Sequence, residues 1–320
     1  MAEILVAGET LIDLLPGPGE TLRDVDGFAH RPGGAPANVA VGLSRLDATP
    51  AFWTRLGGDP FGDFLRETLV DEGLPTAAFE RVDGNTTLAV VSPPGVDGRR
   101  FRFYGSGDVT FGFEPEAVPE DALAPASWVH LGGVALTHSD GRAAMRELAA
   151  AAAERGLTVS FDVNYREDLV PDGERDAVVD AVREIVAASD VVFASDEDVA
   201  ATGLTSREGE GLGRDLLGLG PHTAVVTLGK AGAVVTSTAA APWGERTARH
   251  GGFPVEAVDA TGAGDAFTAG LIARLADGDA DLDEAVTFAN ATAALSVQER
   301  GGMTALPSKA GVESFLADRR

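Results

Sequence analysis

The run Val258–Asp265, which reads VDATGAGD, leads directly into an apolar helical pattern that continues past Phe267. Small residues leave the backbone open to close approach by a ligand, and the free N–H groups at the start of a helix attract anions. Asp265 falls in the first helical turn, where a carboxylate either caps the helix or takes a proton from a hydroxyl beside the anion. The run therefore predicts either a glycine-rich turn with a capping aspartate or a site for phosphoryl transfer.

A second glycine-rich turn precedes an earlier helical pattern. Residues 32–38 read PGGAPAN, and Pro36 suits the first turn of a helix whose apolar face includes Val39 and Leu43. The amide of Asn38 both donates and accepts hydrogen bonds, as the recognition of hydroxyl groups requires. The stretch predicts a helix start that is either a plain turn or part of a hydroxyl-binding site.

Three polar or glycine-rich stretches follow predicted strands. They are FDVNYR at residues 161–166, SDED at 195–198 and TLGKAG at 227–232. Ligands of open α/β sheets bind outside the carboxyl ends of the strands, and acids at such a place hold Mg²⁺, usually through waters. Each stretch also has a plain interpretation, as a charged exit from a strand, an acidic helix cap or an ordinary turn.

Strands alternate with helices along most of the chain. Five short stretches are predicted strands, and they are residues 4–7, 129–131, 158–163, 191–194 and 224–228. The last two are apolar runs without alternation, as in parallel strands that are buried on both faces. This order predicts an α/β fold with a mostly parallel sheet covered by helices on both faces. Residues 11–32 and 85–113 are instead rich in Gly, Pro and aromatic residues, and form either a small accessory β-sheet or long loops.

The composition is strongly acidic. The 320 residues include 50 Asp and Glu against 25 Lys and Arg, which gives a net charge of −25. Phosphates are repelled by such a surface, so we expect no nucleic-acid partner. No apolar run reaches membrane-spanning length, and the start MAEILVAGE is unlike a signal peptide. We therefore expect no membrane partner and a cytoplasmic location.

The basic residues are almost all arginines, since Lys230 and Lys309 are the two lysines. A surface with this excess of acids repels itself at low ionic strength, and salt screens that repulsion. The composition therefore favours a salt-adapted (halophilic) protein over an ordinary acidic one. The sequence contains no cysteine, which excludes disulfides, thiolate nucleophiles and cysteine metal sites.

Several common site motifs are missing from the sequence. Neither lysine completes a P-loop, and no G-x-G-x-x-G, H-E-x-x-H or G-x-S-x-G motif occurs. The five histidines are far apart, and we expect them to be surface or core residues. These observations argue against a P-loop NTPase, a dinucleotide-dependent dehydrogenase and a hydrolase with a nucleophile elbow.

The motifs, taken together and in their order, resemble those of the ribokinase-like (pfkB) family of carbohydrate kinases. The matching stretches are Gly8-Glu9 with Asp13, Gly33-Gly34 with Asn38, LGGDPFG at 56–62 and DATGAGD at 259–265. The likeness extends over nearly the whole chain. It implies one kinase domain over residues 1–320, in which a Rossmann-like sheet carries a β-sheet lid formed within about 11–32 and 85–113. Such lids often pair two subunits, so a homodimer is expected.

The resemblance also implies a reaction and a set of site residues. ATP phosphorylates a hydroxyl of a small carbohydrate with Mg²⁺, and many members also bind a monovalent cation such as K⁺. By matching position, the catalytic residues are the base Asp265 and the anion hole Gly262, Ala263 and Gly264. The substrate-binding residues are Asp13, Gly33, Gly34, Asn38, Asn164 and Arg166. The nucleotide-binding residues are Thr227, Gly229, Gly232 and Asn290. The metal-binding residues are Asp198 for Mg²⁺, with Asp259 and Thr261 for the monovalent cation.

Two stretches of the sequence narrow the choice of substrate. Residues 33–40 and 161–167 look most like those of fructokinases, with 2-keto-3-deoxygluconate kinase second and ribokinase or nucleoside kinase third. Two positions depart from the family pattern. Ser195 and Asp198 stand in place of N-x-x-E, and Gly105 follows Phe103-Tyr104 where kinases of sugars and sugar acids often have arginine. The missing arginine favours a neutral sugar. A non-catalytic sugar- or nucleotide-binding protein of the same fold is the alternative, and the intact 262–265 motif argues against it.

Overall fold

The computed structural model describes residues 3–93, 101–105, 109–205, 211–277 and 281–319. The strands in these residues are β1 (Ile4–Ala7), β2 (Leu11–Pro16), β3 (Phe28–Gly33), β4 (Ala51–Gly57), β5 (Phe79–Val82), β6 (Leu88–Val91), β7 (Phe101–Tyr104), β8 (Trp128–Gly132), β9 (Thr158–Asp162), β10 (Val191–Ser195), β11 (Thr223–Thr227), β12 (Ala233–Ser237) and β13 (Arg246–His250). The helices are α1 (Ala35–Arg45), α2 (Pro60–Asp71), α3 (Glu120–Leu123), α4 (Ser139–Glu154), α5 (Arg175–Ala188), α6 (Asp196–Thr202), α7 (Gly211–Leu217), α8 (Ala263–Leu275), α9 (Leu282–Ser296) and α10 (Lys309–Ala317).

Nine strands form the main sheet in the order β13-β12-β11-β10-β9-β8-β1-β4-β5. Neighbours from β11 through β5 pair in parallel, whereas β12 and β13 form antiparallel pairs at one edge. The predicted mostly parallel sheet is therefore confirmed. Each of the five predicted strands is found within one residue of its expected ends, because strand pairing need not begin and stop at the residues where the apolar pattern does.

The two faces of the main sheet are buried under different helices. Side chains alternate along β1, so that Ile4 and Val6 belong to one hydrophobic core while Leu5 and Ala7 belong to the other. The first core is completed by α1, α8, α9 and α10, and the second by α4, α5 and α7. Helices on both faces explain why the strands are apolar without alternation.

The four remaining strands form a separate sheet in the order β3-β2-β6-β7, which we call the lid. The accessory-sheet prediction for residues 11–32 and 85–113 is correct and the long-loop alternative is wrong, although residues 94–100 and 106–108 lie outside the described part. Leu11 and Ala89 of the lid share a hydrophobic cluster with Phe111 and Val134. This cluster fixes one face of the lid above the carboxyl ends of the main-sheet strands.

No helix in the described ranges is both long and apolar enough to cross a membrane.

Candidate active site

A cavity of about 650 Å³ lies between the lid and the carboxyl ends of the main-sheet strands. Its lining combines residues from distant parts of the chain, including Glu9, Asp13, Asn38, Arg166 and Asp265. Ligands of open parallel sheets bind at this edge. The fold therefore gathers most of the sequence-predicted site residues into one pocket.

The pocket joins the two glycine-rich helix starts. The Nδ2 atom of Asn38 donates a hydrogen bond of 2.7 Å to Oδ2 of Asp265, across 227 residues of sequence. The helices that carry them pack closely, since a Cβ on Gly42 of α1 would lie 2.7 Å from that of Ala269 in α8. The Oδ1 atom of Asn38 is buried and has no hydrogen-bond partner within the described residues, so it remains available to accept from a ligand.

Asp265 has the electrostatics of a general base. Burial in the pocket raises its pKa from 3.8 to about 6, against the opposing effects of the Asn38 hydrogen bond and the Arg166 guanidinium. The carboxyl group is thus ionised at neutral pH and yet close enough to neutrality to accept a proton. A base tuned in this way suits removal of a proton from a sugar hydroxyl.

The turn before Asp265 leaves the start of α8 open. Gly262 is its N-terminal cap, with φ of 75° and no side-chain capping bond, and a Cβ there would lie 2.8 Å from Cα of Gly302. A Cβ on Gly264, in contrast, would meet no atom within 4 Å. Packing requires glycine at 262 but not at 264, so the bare backbone at 264 fits the close approach of an anion.

The substrate side of the pocket includes the first lid strand. Asp13 on β2 is nearly buried, and a Cβ on Gly33 of the neighbouring β3 would lie 2.4 Å from its Oδ2 atom. Gly34 has φ of 104° and would bring a Cβ within 2.5 Å of the Glu9 carbonyl oxygen. Both glycines are therefore required for the chain to pass beside the acids of the pocket.

The segment after β9 supplies a cation and an amide. Asn164 is buried with φ of 32°, a left-handed conformation that Asn tolerates better than most residues. Arg166 lies in the pocket lining, and its charge lowers the pKa of Asp265, Asp162 and Glu9. Arg166 thus supplies positive charge beside a group of acidic side chains in the pocket.

Asp162 belongs to this group of acidic side chains, although the sequence pattern did not assign it to the site. Burial and the neighbouring Asp198 and Asp265 raise its pKa well above the usual value, in spite of Arg166. Its position at the end of a predicted strand was the available signal. A bound cation would reduce the electrostatic repulsion among these three carboxyl groups.

Asp198 forms a capping box at the start of α6. Its Oδ2 atom accepts from the backbone N and the Oγ of Ser195, at 2.9 and 2.6 Å, and its Oδ1 accepts from the backbone N of Tyr165 at 2.8 Å. The residue lines the pocket, but both of its oxygens serve the fold. The capping interpretation of SDED is therefore correct, and metal binding by Asp198 stays a prediction.

Asp259 shapes the turn that precedes α8. Its Oδ1 accepts from the backbone N and Oγ1 of Thr261, and its Oδ2 accepts from the backbone N of Gly301 at 3.1 Å. These bonds hold two loops together beside the pocket. The assignment of Asp259 and Thr261 to a monovalent-cation site stays a prediction.

The predicted nucleotide residues are less concentrated. Thr227 lines the pocket at the end of β11, while Gly229 and Gly232 flank the turn between β11 and β12, with φ of 54° and 82°. Asn290 is buried in α9, and its Nδ2 donates to the carbonyl of Val286 in the same helix. Asn290 is not among the residues that line the pocket, so its place beside adenine stays a prediction.

A parallel sheet, a β-sheet lid and a buried aspartate at an open helix start are the features of the ribokinase-like sugar kinases. The chain matches the model of pfkB family carbohydrate kinases over residues 1–309, and it belongs to that family. Its expected fold class and its expected membership of the carbohydrate kinases are thereby confirmed.

The similar proteins include several fructokinases. The fructokinase of Klebsiella pneumoniae is 35% identical over 98% of this chain and 99% of its own length, and that of Escherichia coli is 33% identical over 98% and 99%. A fructokinase of Xylella fastidiosa solved with bound ATP has a TM-score of 0.87 at 28% identity, covering 99% of this chain and 98% of its own. A Vibrio cholerae fructokinase variant in its fructose-, ADP- and potassium-bound form has a TM-score of 0.85 at 31% identity, with the same coverage.

Proposed function

We propose that this carbohydrate kinase transfers the γ-phosphate of ATP to a hydroxyl of fructose. The observation that carries the proposal is the hydrogen bond between Asn38 and Asp265, since it joins a hydroxyl-binding helix start to a base at an anion-binding helix start. The fructokinases that resemble the chain over nearly its full length support fructose as the sugar. We propose residues 1–320 as one kinase domain with its lid.

In the proposed reaction, the ionised carboxylate of Asp265 takes the proton from the acceptor hydroxyl. The freed oxygen forms a bond to the γ-phosphorus while the bond from that phosphorus to the oxygen bridging to the β-phosphorus breaks, and ADP leaves. The backbone of Gly262, Ala263 and Gly264 holds the charge on the phosphoryl group. Asn38 holds the base in place through its 2.7 Å bond.

The residues present fit a magnesium ion that is held mainly by nucleotide phosphates and waters. No cluster of three or more His, Asp or Glu able to hold a metal ion is found in the described ranges, but Mg²⁺ with a nucleotide needs one or two carboxylates. Asp198 and Asp162 would face it, through waters in the case of Asp198. When bound, the ion neutralises phosphate charge. The monovalent cation would lie at Asp259 and Thr261.

The lid favours a neutral sugar over a sugar acid. Phe101 and Phe103 line the pocket and stack with ring centroids 6.3 Å apart. Between them, Arg102 is largely exposed, with a guanidinium nitrogen 4.0 Å from Asp168. Of the described residues that line the pocket, Arg166 is the basic one. Within the described residues, the lid thus adds apolar surface to the pocket lining and no positive charge that would pair with a carboxylate.

We also propose a homodimer that pairs through the lid. The lid strands leave two large apolar side chains exposed, Phe28 at 41% and Tyr104 at 60%. A partner that covers them would remove apolar surface from water. The acidic composition supports a cytoplasmic, salt-adapted protein.

One assay tests the substrate. Consumption of ATP is measured with Mg²⁺ and high KCl against fructose, 2-keto-3-deoxygluconate, ribose and adenosine, and we expect the highest kcat/KM with fructose. A higher value with the sugar acid would overturn the neutral-sugar proposal. No turnover with any of the four compounds would favour a binding protein of the same fold.

A further inference from the structure

Glu9 is an acid of the pocket to which the mechanism gives no role. It follows β1 and is 2% exposed, and its Oε1 atom accepts from the backbone N of Ala35 at 3.1 Å, the first residue of α1. Its Oε2 atom is buried and has no partner among the described residues. One oxygen of the carboxyl group therefore serves the fold, and the other is left without a partner in a residue that lines the pocket.

A second buried atom without a partner among the described residues is Oδ1 of Asn38, a residue that lines the same cavity. A buried polar atom without a partner costs free energy, and native proteins leave few of them. Two such atoms in one pocket indicate that a ligand supplies their hydrogen bonds. Tyr165 adds a hydroxyl of the same kind at the pocket lining.

The two atoms differ in what they offer. The amide oxygen of Asn38 only accepts, whereas a protonated carboxyl group has one O–H donor. Burial raises the pKa of Glu9 from 4.5 to about 8, assisted by the charge of Asp265 on α8 and opposed by its own N–H, the Ala35 N–H and Arg166 after β9. A donor and an acceptor in the lining of one pocket match the hydroxyl groups of a sugar, which both accept and donate hydrogen bonds.

We propose that Glu9 is a sugar-positioning residue, whose neutral carboxyl group donates a hydrogen bond from Oε2 to a sugar oxygen near the reacting hydroxyl. The proposal rests on the proposed function, because it requires a sugar in this pocket. It separates the two buried acids by role: Asp265 accepts a proton, and Glu9 keeps its proton and holds the substrate. Environments that separate the pKa values of two acids in this way are typical of sites that need one ionised and one protonated carboxyl group.

Two substitutions at Glu9 test the proposal. Glu9→Gln keeps an acceptor for Ala35 and a donor toward the pocket, so we expect KM for the sugar near that of the wild type at pH 7. Glu9→Leu removes both, and we expect KM for the sugar to rise at least about 10-fold while KM for ATP changes less than about 2-fold. Thermal unfolding of each variant shows whether it folds.

The matched control is Glu80→Gln. Glu80 is a partly buried glutamate whose pKa is raised by burial, but it bonds Trp53 and lies outside the pocket lining. We expect no change in either KM for this variant.

The pH profile gives a readout that a purely structural role would not move. Because Glu9 loses its proton as pH rises through about 8, KM for the sugar should rise above that pH in the wild type and stay flat in Glu9→Gln. The proposal is overturned if folded Glu9→Leu keeps the wild-type sugar KM, or if Glu9→Gln is as impaired as Glu9→Leu.

Failure of the proposed function looks different. If the wild-type enzyme prefers another sugar, the fructose assignment falls and the Glu9 series is measured with that sugar. If the wild type turns over no sugar, the same series is measured by calorimetric binding of fructose. Absence of fructose binding by the wild type would then overturn the Glu9 proposal as well.

Discussion

Helices α6 and α8 both begin beside the pocket and both carry an aspartate at the third helical position. In α6, Asp198 closes a capping box with Ser195. In α8, the cap is Gly262, which offers no side chain, and Asp265 is bonded by Asn38 of another helix. The same residue at the same helical position thus stabilises its own helix in one case and is directed into the pocket in the other.

The difference shows what distinguishes a helix start that a side chain caps from one that is open to a ligand. A side-chain cap satisfies the first N–H groups and leaves no place for an anion. A glycine cap leaves those groups to a ligand and releases the aspartate for another task. Asn38 then fixes Asp265 from outside, and burial raises its pKa.

The largest effect is expected from Asp265→Asn. Loss of the base should lower kcat by at least about 100-fold, while KM for the sugar stays within a few-fold because the side chain keeps its shape. Steady-state kinetics and sugar binding measure the two effects. Asp63→Asn, in the first turn of α2 and outside the pocket lining, is the matched control and should retain full activity. Near-normal turnover of Asp265→Asn would remove the proposed base.

The next largest effect is expected in the acid limb of the pH profile. Asp265 has a raised pKa, so it is protonated and inactive as a base below about pH 6, and kcat should fall as pH drops through that value. The Asn38 hydrogen bond lowers this pKa, so Asn38→Ala should move the acid limb to higher pH. A limb that stays in place in Asn38→Ala would show that a different group titrates.

A smaller effect on turnover, and a clear one on stability, is expected for Asp198→Ala. Loss of the capping box leaves the N–H groups of Ser195 and Tyr165 without their acceptor, which should cost about 1–2 kcal/mol of unfolding free energy. Urea unfolding and kcat are measured together, with exposed Asp196→Ala as control. A fall in kcat above about 100-fold at unchanged stability would instead show that the proposed water-mediated contact with Mg²⁺, rather than capping of α6, is the main role of Asp198.

The sequence was sufficient for the centre of the main sheet because strands such as β1 and β10 are buried on both faces and therefore read as continuous apolar runs. It also located the open helix start at Gly262, because glycines at 262 and 264 leave the cap without a side chain, whereas the role of Asp265 as the base stays a prediction. What it could not resolve was the division between Asp198 and Asp265, because both are acids in a first turn. That division depends on a bond between Asn38 and Asp265, which only the packing of α1 against α8 creates.

Glu9 and Asp162 were missed as site acids for a related reason. Glu9 lies two residues after β1 and Asp162 ends β9, so the sequence shows an acid near a strand end but not whether it is buried. Burial and the proximity of Asp265 follow from tertiary structure, and both raise the pKa of these two acids. The order of charged residues along the chain predicts neither the burial of these two acids nor their proximity to Asp265.

The smallest expected effect is that of salt on KM for ATP. Its size distinguishes short-range from long-range electrostatic effects at the starts of α6 and α8. With a net charge of −25, the protein repels ATP at long range, and the exposed acids Asp196 and Glu197 of α6 contribute near the pocket. The open start of α8 and Arg166 act at contact distance, where salt screens less.

Raising KCl from about 0.1 M to about 2 M should therefore lower KM for ATP or leave it unchanged. A parallel series with NaCl at constant KCl distinguishes screening from binding of a specific cation. Neutralising α6 with Asp196→Asn and Glu197→Gln should weaken the salt dependence, whereas Asp63→Asn on distant α2 should not. A steep rise of KM with salt would mean that attraction at the start of α8 and at Arg166, rather than repulsion by the acidic surface, controls the capture of ATP.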